Sequence, residues 1–428
     1  MKHLILLPVL LAACCPDVPC PPPVICPICD TTSKDSLQAL LTDSRVQFAG
    51  LTARYYVAKD SLLMANVELA NVKDQLEDCL LQECPECPPP VICPGCPCDT
   101  IPEPEPQFLG FGAKVNLGNP RTLKVTSLSG NTGNETTGEG SFLWCLNRPY
   151  ARILTFTVGG EIILTGKTDI TSPQLWIQGQ TAPTPLTIRH YPLRIFTHDV
   201  IIQHLRLRID NQDLSDNWDG LCIYRGSNIV IDHCSISGAL DEDVPISSAY
   251  LKRVTISNCI ISDAKYGSLN YTGDSVSYLR NLFINLDGRC PMVNNTGNHV
   301  KIANNLLYNT ARTNSHIYYN TNSVALLSDC IGNVLIRGQQ SAALKIIQVK
   351  SDMHAGTKIY LKDNVDTGLT SDPWSVVTGE KVLFRSDTPL INDGYFPMSS
   401  DQVKDHIKNN VGARPLDAYD QNLIISIK

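Results

Sequence analysis

IVIDHCSIS at 229–237 and VTISNCIIS at 254–262 superimpose residue for residue, and four further segments fall into the same frame: VIIQHLRLRI at 200–209, VSYLRNLFIN at 276–285, VKIANNLLYN at 300–309 and VALLSDCIGN at 324–333. Their starts lie 29, 25, 22, 24 and 24 residues apart. A loose period of about 24 residues, with one strand–turn–strand unit in each, is the signature of a stacked coil. The body is therefore read as all-β, a right-handed parallel β-helix. Strands alternate one side chain in and one out, so aligned positions form ladders. His204, His233, Asn258, Arg280 and Asn304 share one column, and Cys234 and Cys259 share its neighbour. Asparagine at a bend tolerates left-handed geometry. His233 and Asn304 are thus read as ladder residues, and the two cysteines as stacked core thiols rather than a disulfide.

The chain has 428 residues, long enough for two or three domains. Apolar residues make up 43% and charged residues 18%, which supports a core and excludes wholesale disorder. Basic residues number 35 against 42 acidic, a net charge of -7. No basic stripe exists to neutralise phosphates, so nucleic acid is not an expected partner. No apolar run reaches the ~18 residues that span a bilayer. Of 17 cysteines, 11 precede residue 100. That density favours an oxidising compartment or metal binding over a reducing cytosol.

The front of the chain has its own organisation. Residues 1–13 read as a secretory signal: a basic start, a short apolar run, then small residues. Leu11-Ala12-Ala13-Cys14 resembles the bacterial lipobox, which implies lipid on Cys14 and an address at an outer membrane or cell surface. CPPPVICPICD at 20–30 recurs as CPPPVICPGCPCD at 87–99. Proline-rich stretches are stiff spacers. Their Cys-Pro-x-Cys steps suit disulfides within or between chains, or, less well, zinc. These Cys/Pro-rich segments, 14–32 and 84–107, bracket residues 33–83. There an apolar seam runs in 3–4 alternation from Leu37 to Cys79, with only Ser44 plainly polar. Such a seam predicts a coiled-coil stalk and a homo-oligomer, dimer or trimer.

The body, from residue 108, resembles the pectate lyases of polysaccharide lyase family 1. The strings that carry the likeness occur in order: GFGAKV at 110–115, RILTFTVGGEIIL at 152–164, IQGQTAP at 177–183, WDGLCIYRGSNIVIDHCSIS at 218–237, RCP at 289–291 and VGARPLDAYDQNLI at 411–424. The resemblance implies a β-helix over 108–372, with 373–428 as a C-terminal extension packed on it. It also implies β-elimination of a uronate polymer, with Ca2+ between substrate and protein carboxylates.

Calcium wants several hard oxygen ligands. Asp216 and Asp219 precede the coil at 221–225, and Asp241, Glu242 and Asp243 follow the coil at 229–237. About one period separates the two groups, so stacking brings them to one face. By motif order Asp219 and Asp241 match calcium ligands, with Glu242 or Asp243 as partners. Pro245 stands where some members carry another acid. Arg289 matches the arginine assigned as base, and Lys265 a lysine that binds substrate carboxylate. Arginine holds its proton in nearly all proteins, so Arg289 needs a depressed pKa or else stabilises the developing enolate. Asn294 occupies a substrate-binding position where many members have a second arginine.

Three functions are weighed. The first is a calcium-dependent lyase acting on an acidic, pectate-like polysaccharide. The second is a non-catalytic glycan-binding or adhesion protein, multivalent through its stalk. The third is a β-helix glycoside hydrolase, which needs two carboxylates across the scissile bond.

Overall fold

The computed structural model describes residues 108–428 apart from 131–137, 211–217, 249, 295–298, 311–315, 320–323, 342–344 and 367–371. The expected signal, Cys14 lipid site, tether, coiled-coil stalk and linker to 107 all fall outside the described residues. Each strand of the body pairs in parallel with its equivalent one coil later, giving sheets of eleven, nine and eight strands. One coil runs Ser227–Asp232, Ser235–Ser237 and Ile246–Ser247. The next runs Lys252–Ser257, Ile260–Ser262 and Leu269–Tyr271. The body is an all-β parallel β-helix, its parallel sheets joined by crossovers.

The ladders have a conformational cause. Ile231 pairs with Ile256 and Asp232 with Ser257, which sets His233 beside Asn258 at the corner. His204, His233, Asn258, Arg280 and Asn304 all adopt φ between 50° and 56°. This left-handed bend turns the chain from the eleven- to the eight-stranded sheet. One residue further, Asn281, Asn305, Asn333 and Asn364 stack inside the coil. Asn281 Nδ2 donates to Asn305 Oδ1 at 3.0 Å, and Asn305 Nδ2 to Asn333 Oδ1 at 2.9 Å. Each also accepts from a backbone N–H, so the buried corner leaves no orphan there. Cys234 and Cys259 are both buried and free.

The repeat frame slips at its last member. Val300 pairs with Ser328, not with Val324, four residues earlier. Ser328 is fully buried, its hydroxyl donating to Val300 O at 2.8 Å and meeting Tyr318 Oη at 3.0 Å. A hydrogen-bonded serine thus fills an inward position where matching by apolarity seeks valine. The coil also continues past 372: Val377–Gly379 pairs with Ile347–Val349, and Arg385–Ser386 with Ile359 and Tyr360.

Two sheets carry cover on their outer faces. Helices Ser400–Asn410 and Ala418–Ser426 bury Val403, Ile407, Leu423 and Ile424 against Ile260, Leu282 and Leu306 of the eight-stranded sheet. Across the eleven-stranded sheet runs the segment around Gly112, whose N–H donates to Thr255 Oγ1 at 2.8 Å. A Cβ at Gly112 would stand 2.3 Å from Ile229 O, so only glycine allows this approach. On the nine-stranded sheet Tyr271 is 40% exposed. The turns that lead into that sheet carry the candidate site.

Candidate active and metal site

Four successive turns stack here. Asp219 ends the turn before Leu221–Arg225. Asp241, Glu242 and Asp243 lie between Ser235–Ser237 and Ile246–Ser247. Lys265 and Tyr266 lie between Ile260–Ser262 and Leu269–Tyr271, and Arg289 between Leu282–Ile284 and Met292–Asn294. The backbone fixes their order. Gly220 N–H donates to Glu242 O at 2.9 Å, Asp243 N–H to Tyr266 O at 3.0 Å, and Ser268 N–H to Arg289 O at 2.7 Å. Residues up to 70 positions apart in sequence thereby share one edge of the coil.

Carboxylate oxygens of Asp219, Asp241 and Glu242 all lie within 4.8 Å of one another. Asp219 is oriented from two sides: Tyr224 Oη donates to Oδ2 at 3.1 Å, and Glu242 N–H to Oδ1 at 3.2 Å. Glu242 is only 4% exposed, and Arg289 Nη1 donates to its Oε1. A buried carboxylate needs such a partner. Lys265 Nζ, half-exposed, stands 3.9 Å from Asp241 Oδ1. The ring of Tyr266 lies under both cations, 3.9 Å from Arg289 Cζ and 5.0 Å from Lys265 Nζ. Burial lowers the pKa of Arg289, and the charge of Asp241 opposes that shift.

Asp243 stands apart from this cluster. It is fully buried and accepts from the N–H groups of Ala239 and Ser262, at 3.3 and 3.1 Å. Burial pushes its carboxyl well above the usual range, against those two N–H groups, which pull it down. Its work is to tie two turns together. Asn294 ends the strand that follows Arg289, level with Tyr271 and Tyr319 on neighbouring strands, and its buried Oδ1 has no partner among the described residues. It sits in a different row from the carboxylates. Asp216 lies outside the described residues.

Motif reading passed over Tyr224 and Tyr266. Both had a signal: Tyr224 follows Asp219 by five residues within its strand, and Tyr266 falls one coil after Glu242, to which it is bridged. The second pairing becomes visible only once the register is known.

Chemically, the arrangement offers hard oxygen donors beside two cations and an aromatic face. Residues 199–307 match the family model for a right-handed β-helix region. The chain is similar to a probable pectate lyase C of Aspergillus flavus, 27% identical over 336 residues, with 76% of each chain covered. A Bacillus subtilis pectate lyase mutant is 14% identical, with 74% of this chain and 100% of that one covered at a TM-score of 0.49. A Bacillus sp. N165 pectate lyase, solved with trigalacturonate, is likewise 14% identical, with 72% and 99% covered at a TM-score of 0.49. The right-handed β-helix region and the likeness to the fungal protein support a pectate lyase-like family.

Proposed function

We propose that the protein is a calcium-dependent polysaccharide lyase that cleaves pectate or a related uronate polymer by β-elimination. The lyase class rests on the relatives. The observation that carries the finer reading is the stack of turns that gathers Asp219, Asp241 and Glu242 within 4.8 Å, with Lys265 and Arg289 against them.

The donor set fits calcium: three carboxylates, all oxygen, two of them partly exposed. Asp219, Asp241 and Glu242 would hold the ion. When bound, the ion would neutralise the uronate carboxylate and acidify the neighbouring C–H. Lys265 binds a substrate carboxylate as a mobile point charge. Arg289 is the group that meets the acidified carbon. The lowered pKa is the direction a base needs. A guanidinium that keeps its proton would instead stabilise the enolate as charge develops on it. Elimination then expels the glycosidic oxygen and leaves an unsaturated uronide.

Export, lipid attachment at Cys14, an outer-membrane or surface address and self-association through 33–83 complete the proposal. They rest on the sequence alone, and the similar pectate lyase C is fungal. A tethered enzyme of this kind would meet its polymer at the cell boundary.

The test uses the full chain with polygalacturonate and calcium, followed by the ultraviolet absorbance of the unsaturated uronide. A rise that stops on chelation is expected. Polymer retention without any rise would leave the glycan-binding alternative, and chelator-resistant cleavage without absorbance would indicate a hydrolase.

A further inference from the structure

We infer that Arg289 is the resting counter-ion of the carboxylate cluster: it competes with a divalent cation for Glu242 and gives way when an acidic sugar takes its guanidinium. The inference rests on the calcium reading above and goes beyond it.

Glu242 is the most buried of the three clustered carboxylates, with 6% of its side chain exposed against 29% for Asp241. Burying that charge unpaired would be costly. Arg289 Nη1 meets the need by donating to Oε1. Lys265 answers Asp241 in the same way, more loosely, at 3.9 Å. Both cations of the site thus face carboxylates that would hold a metal ion. Three carboxylates facing two cations leave little net attraction for a further positive charge. A divalent ion entering this arrangement meets a guanidinium already on its ligand, and like charges at such range repel.

The guanidinium has a second support besides Glu242. Its Cζ rests 3.9 Å from the centroid of the Tyr266 ring, which supports it without engaging its N–H groups. Arginine presents five donors in a planar fork that suits a carboxylate. A uronate carboxylate can replace Glu242 as the partner of Arg289 and release Glu242 to the metal. Metal and acidic substrate then favour each other, and by linkage each raises the other's affinity equally. The site holds calcium more weakly until the polymer arrives.

The test is calcium titration calorimetry on the metal-stripped full chain without polymer, so it reads binding and not turnover. Arg289→Gln is expected to bind calcium about tenfold tighter than the wild type, within the usual range of site-to-site coupling. Arg289→Lys keeps the charge and is expected to stay near the wild type. Far-ultraviolet circular dichroism checks folding. If glutamine prevents folding, Arg289→Met carries the same expectation. Equal or weaker binding by the neutral variants overturns the inference while leaving the calcium site in place. Absence of calcium binding in every form, up to millimolar concentrations, overturns the calcium reading itself and the inference with it.

Discussion

Arg206 on the eight-stranded sheet and Asp420 on the last helix, 214 residues apart, form a fully buried ion pair, with Nε donating to Oδ2 at 3.1 Å. Ser235 also donates to Asp420 Oδ2, at 2.8 Å, and Arg208 to Oδ1, at 2.6 Å. One carboxylate therefore ties the C-terminal helix to two coils. Asp420→Ala leaves a buried guanidinium with only the partly exposed Asp417 and two carbonyls. Breaking a buried pair costs about 3–5 kcal/mol, and we expect the lower end. Urea unfolding measures it, and a loss under about 1 kcal/mol would show that the pair does not hold the helix.

At the corner of the coil, His204 Nδ1 accepts the Arg414 N–H at 3.1 Å, and its ring stacks on His233 at 4.9 Å. Burial first, and the His233 charge second, lower its pKa from 6.5 to about 4. The unfolded chain takes up this proton at 6.5, while the folded chain refuses it until about 4. This contribution to stability is whole above pH 6.5, is lost as pH falls toward 4, and is flat below. His204→Asn keeps an acceptor and suits φ 53°, as Asn258 and Asn304 do in the same column. The variant is expected to lose one proton's worth of slope across that window. An unchanged slope in unfolding free energy against pH would assign the acid sensitivity elsewhere.

How far the sequence reaches is set by what each residue reports. The coil could be read from apolar and asparagine columns because stacking repeats the same environment at every turn. The frame failed at Val324 because Ser328, polar by letter, is apolar by position: buried and hydrogen-bonded. Acids one period apart, Asp216 and Asp219 and then Asp241 to Asp243, come to one face by stacking, and the resemblance singles out Asp219 and Asp241 with Glu242 or Asp243 as partner. Asp243 looked equivalent to Glu242, yet adjacent residues differ in the direction their side chains take, and its carboxyl caps backbone N–H groups instead. Tyr266 and the Arg289–Glu242 pair depend on register across three turns, which no local pattern encodes.

Tyr266 positions Arg289 without touching it through a hydrogen bond, since the contact is ring to guanidinium. A partly desolvated pair of this kind is worth about 1–2 kcal/mol. Tyr266→Ala is expected to lower kcat for elimination about tenfold, the rate equivalent of that energy. Tyr266→Phe keeps the ring and should match the wild type. The thermal midpoint should move little in the phenylalanine variant. Equal loss in both variants would mean that the hydroxyl, and not the ring, is what matters.

Gly220 sits between Asp219 and the strand that begins at Leu221, and a Cβ there would fall 2.3 Å from Asp243 O and 2.8 Å from Ile236 Cγ2. The first of these atoms is backbone and cannot swing aside. Gly220→Ala must therefore displace the turn that carries Asp219, and with it the hydrogen bonds from Tyr224 and the Glu242 N–H. Overpacking of this kind costs about 1–3 kcal/mol. Calcium affinity should fall together with stability, because in the proposed site the same turn would supply a ligand. Gly138→Ala, where a Cβ meets nothing within 4 Å, is the control and should change neither. Calorimetric titration and urea unfolding on the two variants separate the outcomes. A Gly220→Ala protein that loses stability yet binds calcium as the wild type does would remove Asp219 from the metal site and leave Asp241 and Glu242 to hold the ion alone.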